Sequence, residues 1–368
     1  MLRAGALASL MVPCDTPLLG TRPVIRVERL VNGSTGDPAL YLDFHGAANA
    51  ILCDAGENEA LARADLADLT AVLLTHHHPD HASGLARIVR YLADQDREVT
   101  LVGPVGTIDR VEHQLRAITH LDFPFMKLVL AVIEIDWGAI AWARARFACR
   151  NGFTREQLPP GRPPKDGVVL RTAEARVRCA PASHSVPCLA YAIDLVPGWY
   201  VDPAKATTNP LRPGPWVGQV LAAARLSVHE RPAHIQVDGG TYPLAELLAR
   251  YFVRQARRAT IAFVTDTRRE AATWPGLVAL AQGADRLYCD AYYMARDAKA
   301  AMRHGHLTAQ HAGELANEAG AKRLWLMHMG PRYHGRYDEW LAEARAVFPD
   351  TTADLPPHPR REHEPRDD

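Results

Sequence analysis

The chain has 368 residues, 48% hydrophobic and 23% charged, ordinary for a soluble globular protein and enough for one large domain or two average ones. Lys plus Arg equals Asp plus Glu at 42 each, so no global positive field announces a nucleic-acid binder, and a polyanion must be met by a local patch or by metal ions. No stretch is long enough to span a membrane, and six cysteines without a CxxC pair suit reduced thiols in a cytoplasmic enzyme better than a disulfide framework.

In chain order, residues 4–12 (AGALASLMV) weakly imitate a signal peptide, but the run is short and no clean cleavage site follows. Apolar, β-branched runs predict strands at ALYLDF and AILCDAG, flanking a turn at His45 to Asn49, then at AVLLT ending at Thr75 and VTLVGP ending at Pro104. Helical patterns cover Gly84 to Ala93 and Gly106 to Ile118. Later strands fall at KLVLAVIEI, VVLRT, ARVRCAP, CLAYAIDL, TIAFVTDT, DRLYCDAYY and RLWLMHM, with helices over Thr308 to Ala319 and Tyr337 to Val347. Hairpins mixed with strand-helix units point to an α/β fold, a four-layer αββα sandwich of two mixed β-sheets. QLPPGRPPKDG (157–167) reads as a surface loop. The stretch from Asp202 to Gly218 belongs to an arm-like insertion at about 196–259. One domain thus spans 1–350, and the polar, Pro-rich end, 351–368, reads as a disordered tail.

The strongest chemical signal is LLTHHHPDHASGL, residues 73–85. An apolar strand stops at Thr75, and alternate residues of the extended loop point the same way, so His76 and His78 can converge on one ion. Past the bend at Pro79, Asp80 and His81 can face a second. A solvated histidine-rich turn is the plain alternative, yet the run sits between a buried-type strand and a helix start. Two catalytic ions need further donors, and three candidates stand where later strands stop: His184, Asp266 and His328. Each has a structural alternative, as a turn histidine, a helix N-cap before Thr267 and a core residue respectively.

From Leu19 to about Phe348 the chain resembles the metallo-β-lactamase superfamily and, within it, the ribonuclease Z family of tRNA 3′-processing endonucleases. The match runs through LGT at 19–21, AILCDAGE, THHHPDHASGL, the GPVG turn, SHSVPCLAYAI, VTDTRRE, CDAYY, HLTAQHAGELANEAGAKRLWLMH and a final PRY. The resemblance implies two zinc ions, with manganese or iron as alternatives. His76, His78 and His184 would hold one ion, Asp80, His81 and His328 the other, and Asp266 would bridge them. It also implies a dizinc-bound hydroxide as nucleophile, Asp80 as the group that takes its proton, His306 as phosphate contact and general acid, and Asp290 as the carboxylate that orients His306. From spacing alone His306 reads as a polar helix-start residue. Arg332 and Tyr333 would help hold phosphate, a structural pairing being the alternative for Arg332.

The sequence departs from the family at Cys289-Asp290-Ala291-Tyr292-Tyr293, where a His-Glu-Ala-Thr-Phe type strand is usual, and at His306-Leu307-Thr308, where His-Ser-Thr is usual. The insertion occupies the place of the family's tRNA-binding arm but offers few basic residues: Lys205, Arg212, Arg225 and Arg231, then RQARR at 254–258. The leading expectation is cleavage of a phosphodiester at the 3′ side of precursor tRNA by a homodimer in which one subunit's arm serves the other's site. The alternative is a related hydrolase of a small ester: a cyclic-nucleotide phosphodiesterase, an arylsulfatase-like enzyme or a lactonase. A catalytically quiet metal binder is disfavoured, because all seven candidate ligands and His306 are retained.

Overall fold

The computed structural model describes residues 25–44, 49–118, 125–138, 142–162, 167–227, 229–255 and 258–356. Residues 4–12, the tip of the turn at 45–48, Cys14 and residues 357–368 lie outside these. The chain divides into a sandwich and a second compact unit at residues 198–256.

The first sheet of the sandwich runs in chain order: β1 (Ile25–Leu30), β2 (Leu40–Phe44), β3 (Ala50–Cys53), β4 (Leu69–Leu73), β5 (Glu98–Pro104), β6 (Val129–Ile135), β7 (Trp142–Ala148) and β8 (Arg155–Gly161). Its central strands β3 to β6 are parallel and its flanks antiparallel. Buried on both faces, β3 reads as an unbroken apolar run and β2 as one interrupted by Asp43, instead of alternating. Tyr41, Leu52 and Val72 share a core with Leu85, Ile88 and Val89 of the helix Leu85–Leu92 and with Val111 of the helix Thr107–Arg116. The alternate set, Leu40, Leu42, Ile51 and Leu73, turns to the opposite face.

The second sheet begins with β9 (Val168–Arg171), β10 (Ala175–Ala182) and β11 (Cys188–Leu195). The unit at 198–256 follows, with β12 (Gly198–Val201) paired to β15 (Phe252–Gln255) and β13 (His234–Val237) paired to β14 (Gly240–Pro243). Trp216, Val220, Leu247, Tyr251 and Phe252 give this unit its own core. The sheet then resumes with β16 (Ala259–Val264), β17 (Arg286–Asp290), β18 (Leu324–Met327) and β19 (Thr351–Thr352), in spatial order β19-β18-β17-β16-β11-β10-β9. Its outer face, carrying Val264, Leu287 and Leu326, packs against Leu277, Leu315 and Trp340 of three helices. Its inner face reaches the first sheet, where the Tyr191 hydroxyl donates to the Leu74 carbonyl at 2.7 Å. Helices, sheet, sheet and helices make the four expected layers.

Two expectations need correction. Residues 155–161 form β8 and are not loop, although they carry Pro159 and Pro160. Proline lacks the N–H that a central strand must donate, but β8 is an edge strand, and its register with β7 shifts between Trp142 and Arg144, where the prolines fall. Residues 351–352, placed in the tail, pair with β18, and the Asp354 N–H donates to Ser34 Oγ at 2.9 Å. Cys53, Cys149, Cys179, Cys188 and Cys289 are buried free thiols. Among the described residues no helix is long and apolar enough to cross a membrane.

Candidate metal centre and active site

All seven candidate ligands project from the carboxyl ends of strands, the rim where α/β sheets gather ligands. His76, His78, Asp80 and His81 follow β4, while His184, Asp266 and His328 follow β10, β16 and β18. Asp54 after β3, Asp266 and His328 all take left-handed backbone, with φ of 58, 45 and 61 degrees. This conformation costs non-glycine residues roughly 1 kcal/mol and is kept where surrounding structure imposes it.

Hydrogen bonds fix which nitrogen each imidazole presents. Thr75 gives its hydroxyl proton to Asp54 Oδ2 at 2.8 Å, so at 3.1 Å it can only accept from His76 Nδ1–H. His81 Nδ1 donates to Asp54 Oδ2 at 2.8 Å, and His184 Nδ1 donates to the Gly305 carbonyl at 2.9 Å. Three Nε2 atoms are thereby turned toward Asp266 Oδ2, lying 3.6, 3.5 and 3.6 Å from it for His76, His81 and His184. These gaps are too long for good hydrogen bonds. His76 Nε2 and His81 Nε2 are buried without a hydrogen-bond partner among the described residues, and His328 Nδ1 lies 2.9 Å from Asp266 Oδ1. Orphaned donors converging on a buried carboxylate suit divalent cations.

The donors fall into two groups that share Asp266, each with its ligand atoms within 4.8 Å of one another: His76, His78, His184 and Asp266, then Asp80, His81, Asp266 and His328. His77 faces away, its Nε2 set 2.9 Å from Thr107 Oγ1. A cavity of about 280 Å³ opens over the centre, lined by His78, Asp80, His184, Asp266, Tyr292 and His306, among others. His306 Nδ1 lies 3.3 Å from Asp290 Oδ2, so the shorter carboxylate still reaches the ring. That pair, with Asp266 nearby, outweighs burial and raises the His306 pKa.

The two residues expected to hold phosphate separate. Arg332 is exposed and its guanidinium lies 5.4 Å from the centre of the Tyr293 ring at the cavity wall. Tyr333 is buried and its hydroxyl donates to Asp297, so it packs the fold and is not available to phosphate. Sequence reasoning assigned no role to Asp54, Thr75 or Tyr292. Asp54 shares with the ligands a position directly after an apolar strand, but no neighbouring residue in the sequence marks out its partners.

A family model described as a β-lactamase superfamily domain matches residues 49–208. The chain is 32% identical over 281 residues to ribonuclease Z of Deinococcus radiodurans, covering 76% of this chain and 81% of that one. It is 29% identical over 287 residues to ribonuclease Z of Lactiplantibacillus plantarum, covering 76% of each. The metallo-β-lactamase-fold protein YhfI from Bacillus subtilis shares the fold with a TM-score of 0.50 at 16% identity, over 88% of this chain and 93% of that one. Fold and site together define a metal-dependent hydrolase of the metallo-β-lactamase fold. Within that class, the chain belongs to the ribonuclease Z family.

Proposed function

We propose that the protein cuts a phosphodiester at the 3′ side of precursor tRNA, using two zinc ions. The first would sit at His76, His78 and His184, the second at Asp80, His81 and His328, with Asp266 shared. When bound, the ions supply a water made nucleophilic near neutral pH and positive charge against the phosphate oxygens. The chain's own residues do the rest. Asp80 takes the proton of the attacking water. His306, held through Nδ1 by Asp290, donates a proton from Nε2 to the leaving oxygen. Arg332, standing over the Tyr293 ring that lines the cavity, meets a phosphate of the bound strand. The unit at 198–256 is the substrate arm, and the protein works as a cytoplasmic homodimer, which mass in solution would check.

The observation that carries this reading is the placement of the His306–Asp290 pair beside donor groups that share one buried carboxylate, with His78, Asp80, His184, Asp266, His306 and His328 lining one cavity. One observation favours the small-ester alternative. Lys205 Nζ donates to the Ala249 and Phe252 carbonyls at 3.0 and 2.8 Å, and Arg231 donates to those of Leu226 and Ala224 at 3.1 and 2.9 Å. Two of the arm's few cations thus cap its own helices. A side-by-side assay on precursor tRNA and bis(p-nitrophenyl) phosphate decides. Cleavage of tRNA at its 3′ side is the expected result, and activity on the small ester alone would overturn it.

A further inference from the structure

Among the described residues His306 has one hydrogen bond through its ring, from Nδ1 to Asp290 Oδ2 at 3.3 Å, and one bond of that length leaves an imidazole free to rock about it. Asp290 has little capacity to tighten its hold. Its Oδ2 also accepts the Leu307 N–H at 3.0 Å, and its Oδ1 accepts the Tyr292 N–H at 3.0 Å. The plane of the ring must be set by something else.

Among the described residues four rings surround His306, and of these Tyr292 is stacked on its face while those of His184, His328 and Tyr293 stand edge-on or tilted. The Tyr292 ring lies over His306 with centroids 4.4 Å apart and planes 22° from parallel, close to the geometry that offset aromatic pairs prefer. The tyrosine is itself held. It meets His328 edge-on at 5.1 Å, and the backbone packed on its rim belongs to Gly330, where a Cβ would stand 2.7 Å from Tyr292 Cε1. Both stacked rings line the cavity, so the face contact fixes how His306 presents Nε2 to whatever occupies it.

We propose that Tyr292 is a positioning residue of this active site: stacked on His306, it holds the imidazole plane so that Nε2 lines up with the leaving oxygen. The inference rests on the reading of His306 as the general acid. A proton donor matters most when the leaving group is a poor one, such as the ribose oxygen of RNA, and little when it is p-nitrophenolate, which departs without a proton. That difference separates positioning of the acid from general damage to the site.

Tyr292→Leu, Tyr292→Phe and His306→Ala are assayed on precursor tRNA and on bis(p-nitrophenyl) phosphate, with metal content measured for each. Tyr292→Leu should lower kcat on tRNA about 10- to 100-fold, as expected for a misplaced catalytic group. KM and metal content should hold, and the rate on the nitrophenyl ester should fall far less. Tyr292→Phe, which keeps the ring, should restore most of the tRNA rate. Equal losses on both substrates, loss of metal, a parental kcat in Tyr292→Leu, or a Phe variant as poor as the Leu variant would each overturn the proposal. If His306→Ala itself shows no preference between leaving groups, the general-acid reading fails and takes this inference with it. If His306→Ala shows the preference and Tyr292→Leu does not, the assignment of Tyr292 alone fails.

Discussion

A carboxylate buried as deeply as Asp266, 2% exposed, is costly unless cations surround it. Without metal, protons take that part. Burial opposes charge on His328, but Asp266 and Asp80 outweigh it and hold the imidazole up at about 10. Burial opposes charge on His81 too, and Asp266 and Asp54 outweigh it there, raising that pKa as well. His76, in contrast, is driven down to about 2 by burial and by the charge of His81 beside it. Near pH 8, His328 of the metal-free chain therefore carries a proton that competes with a metal, and the raised His81 adds to that competition. Zinc uptake at that pH should release at least one proton per chain, and affinity should climb as the pH rises toward 10. Calorimetry in buffers of different ionisation enthalpy counts the protons, and uptake with none released would contradict this ligand assignment. Asp54 tests the wiring behind the ligands. Asp54→Ala frees both Thr75 and the His81 Nδ1–H, so zinc affinity should fall about 10- to 100-fold, and an unchanged binding isotherm would show that the orientation is set elsewhere. Histidines clustered in one loop announce chemistry at the level of sequence. A lone aspartate in Ala50–Gly56 does not, because its partners, Thr75 and His81, are close only after β3 and β4 pair.

Elements carry those side chains to one rim because the strands that end there are the apolar ones, and apolar runs are what a sequence shows best. Near-continuous hydrophobic stretches such as β3, β11 and β16 need no partner to be recognised. β7 and β8 are hidden in the sequence for a physical reason. In Trp142–Ala148 the arginines at 144 and 146 break the apolar run, and Arg146 is satisfied by an ion pair with Glu98 that only the folded sheet supplies. In Arg155–Gly161 the prolines disguise an edge strand as a loop. Backbone contacts then lock the ligand loop to its neighbour: the Ala55 N–H donates to the His81 carbonyl at 2.7 Å and the Gly84 N–H to the Ala55 carbonyl at 2.8 Å. Gly56 permits this approach, since a Cβ there would stand 1.8 Å from the Asp80 carbonyl oxygen. Gly56→Ala should therefore push the 76–84 loop off its seat, costing about 1 to 3 kcal/mol and weakening metal binding through Asp80 and His81. Urea denaturation beside a zinc titration measures both, and a variant with parental stability and affinity would mean that the two backbones part without consequence.

At the scale of the whole molecule the question is what residues 198–256 add to a sandwich that already contains every candidate catalytic group. Composition suggested an excursion there but not that it would have a core of its own, because Trp216, Tyr251 and Phe252 are dispersed in sequence and meet only on folding. The register between β11 and β16 makes the contribution separable. Leu195 stands opposite Ala259 in that antiparallel pair, so the chain leaves the sheet and rejoins it at neighbouring positions. Joining Pro197 directly to Arg257 leaves a loop of residues 196, 197, 257 and 258, a length at which antiparallel strands connect readily. The shortened protein should fold, bind metal and hydrolyse bis(p-nitrophenyl) phosphate near the parental rate, since no ligand and no member of the His306, Asp290 and Tyr292 group is removed. Cleavage of precursor tRNA should drop by about 100-fold or more, because a tethered second contact raises the effective concentration of substrate by that order. A shortened protein that still processes tRNA at the parental rate would show that the sandwich alone grips the RNA. One that loses both activities while retaining metal would show instead that the unit shapes the active site.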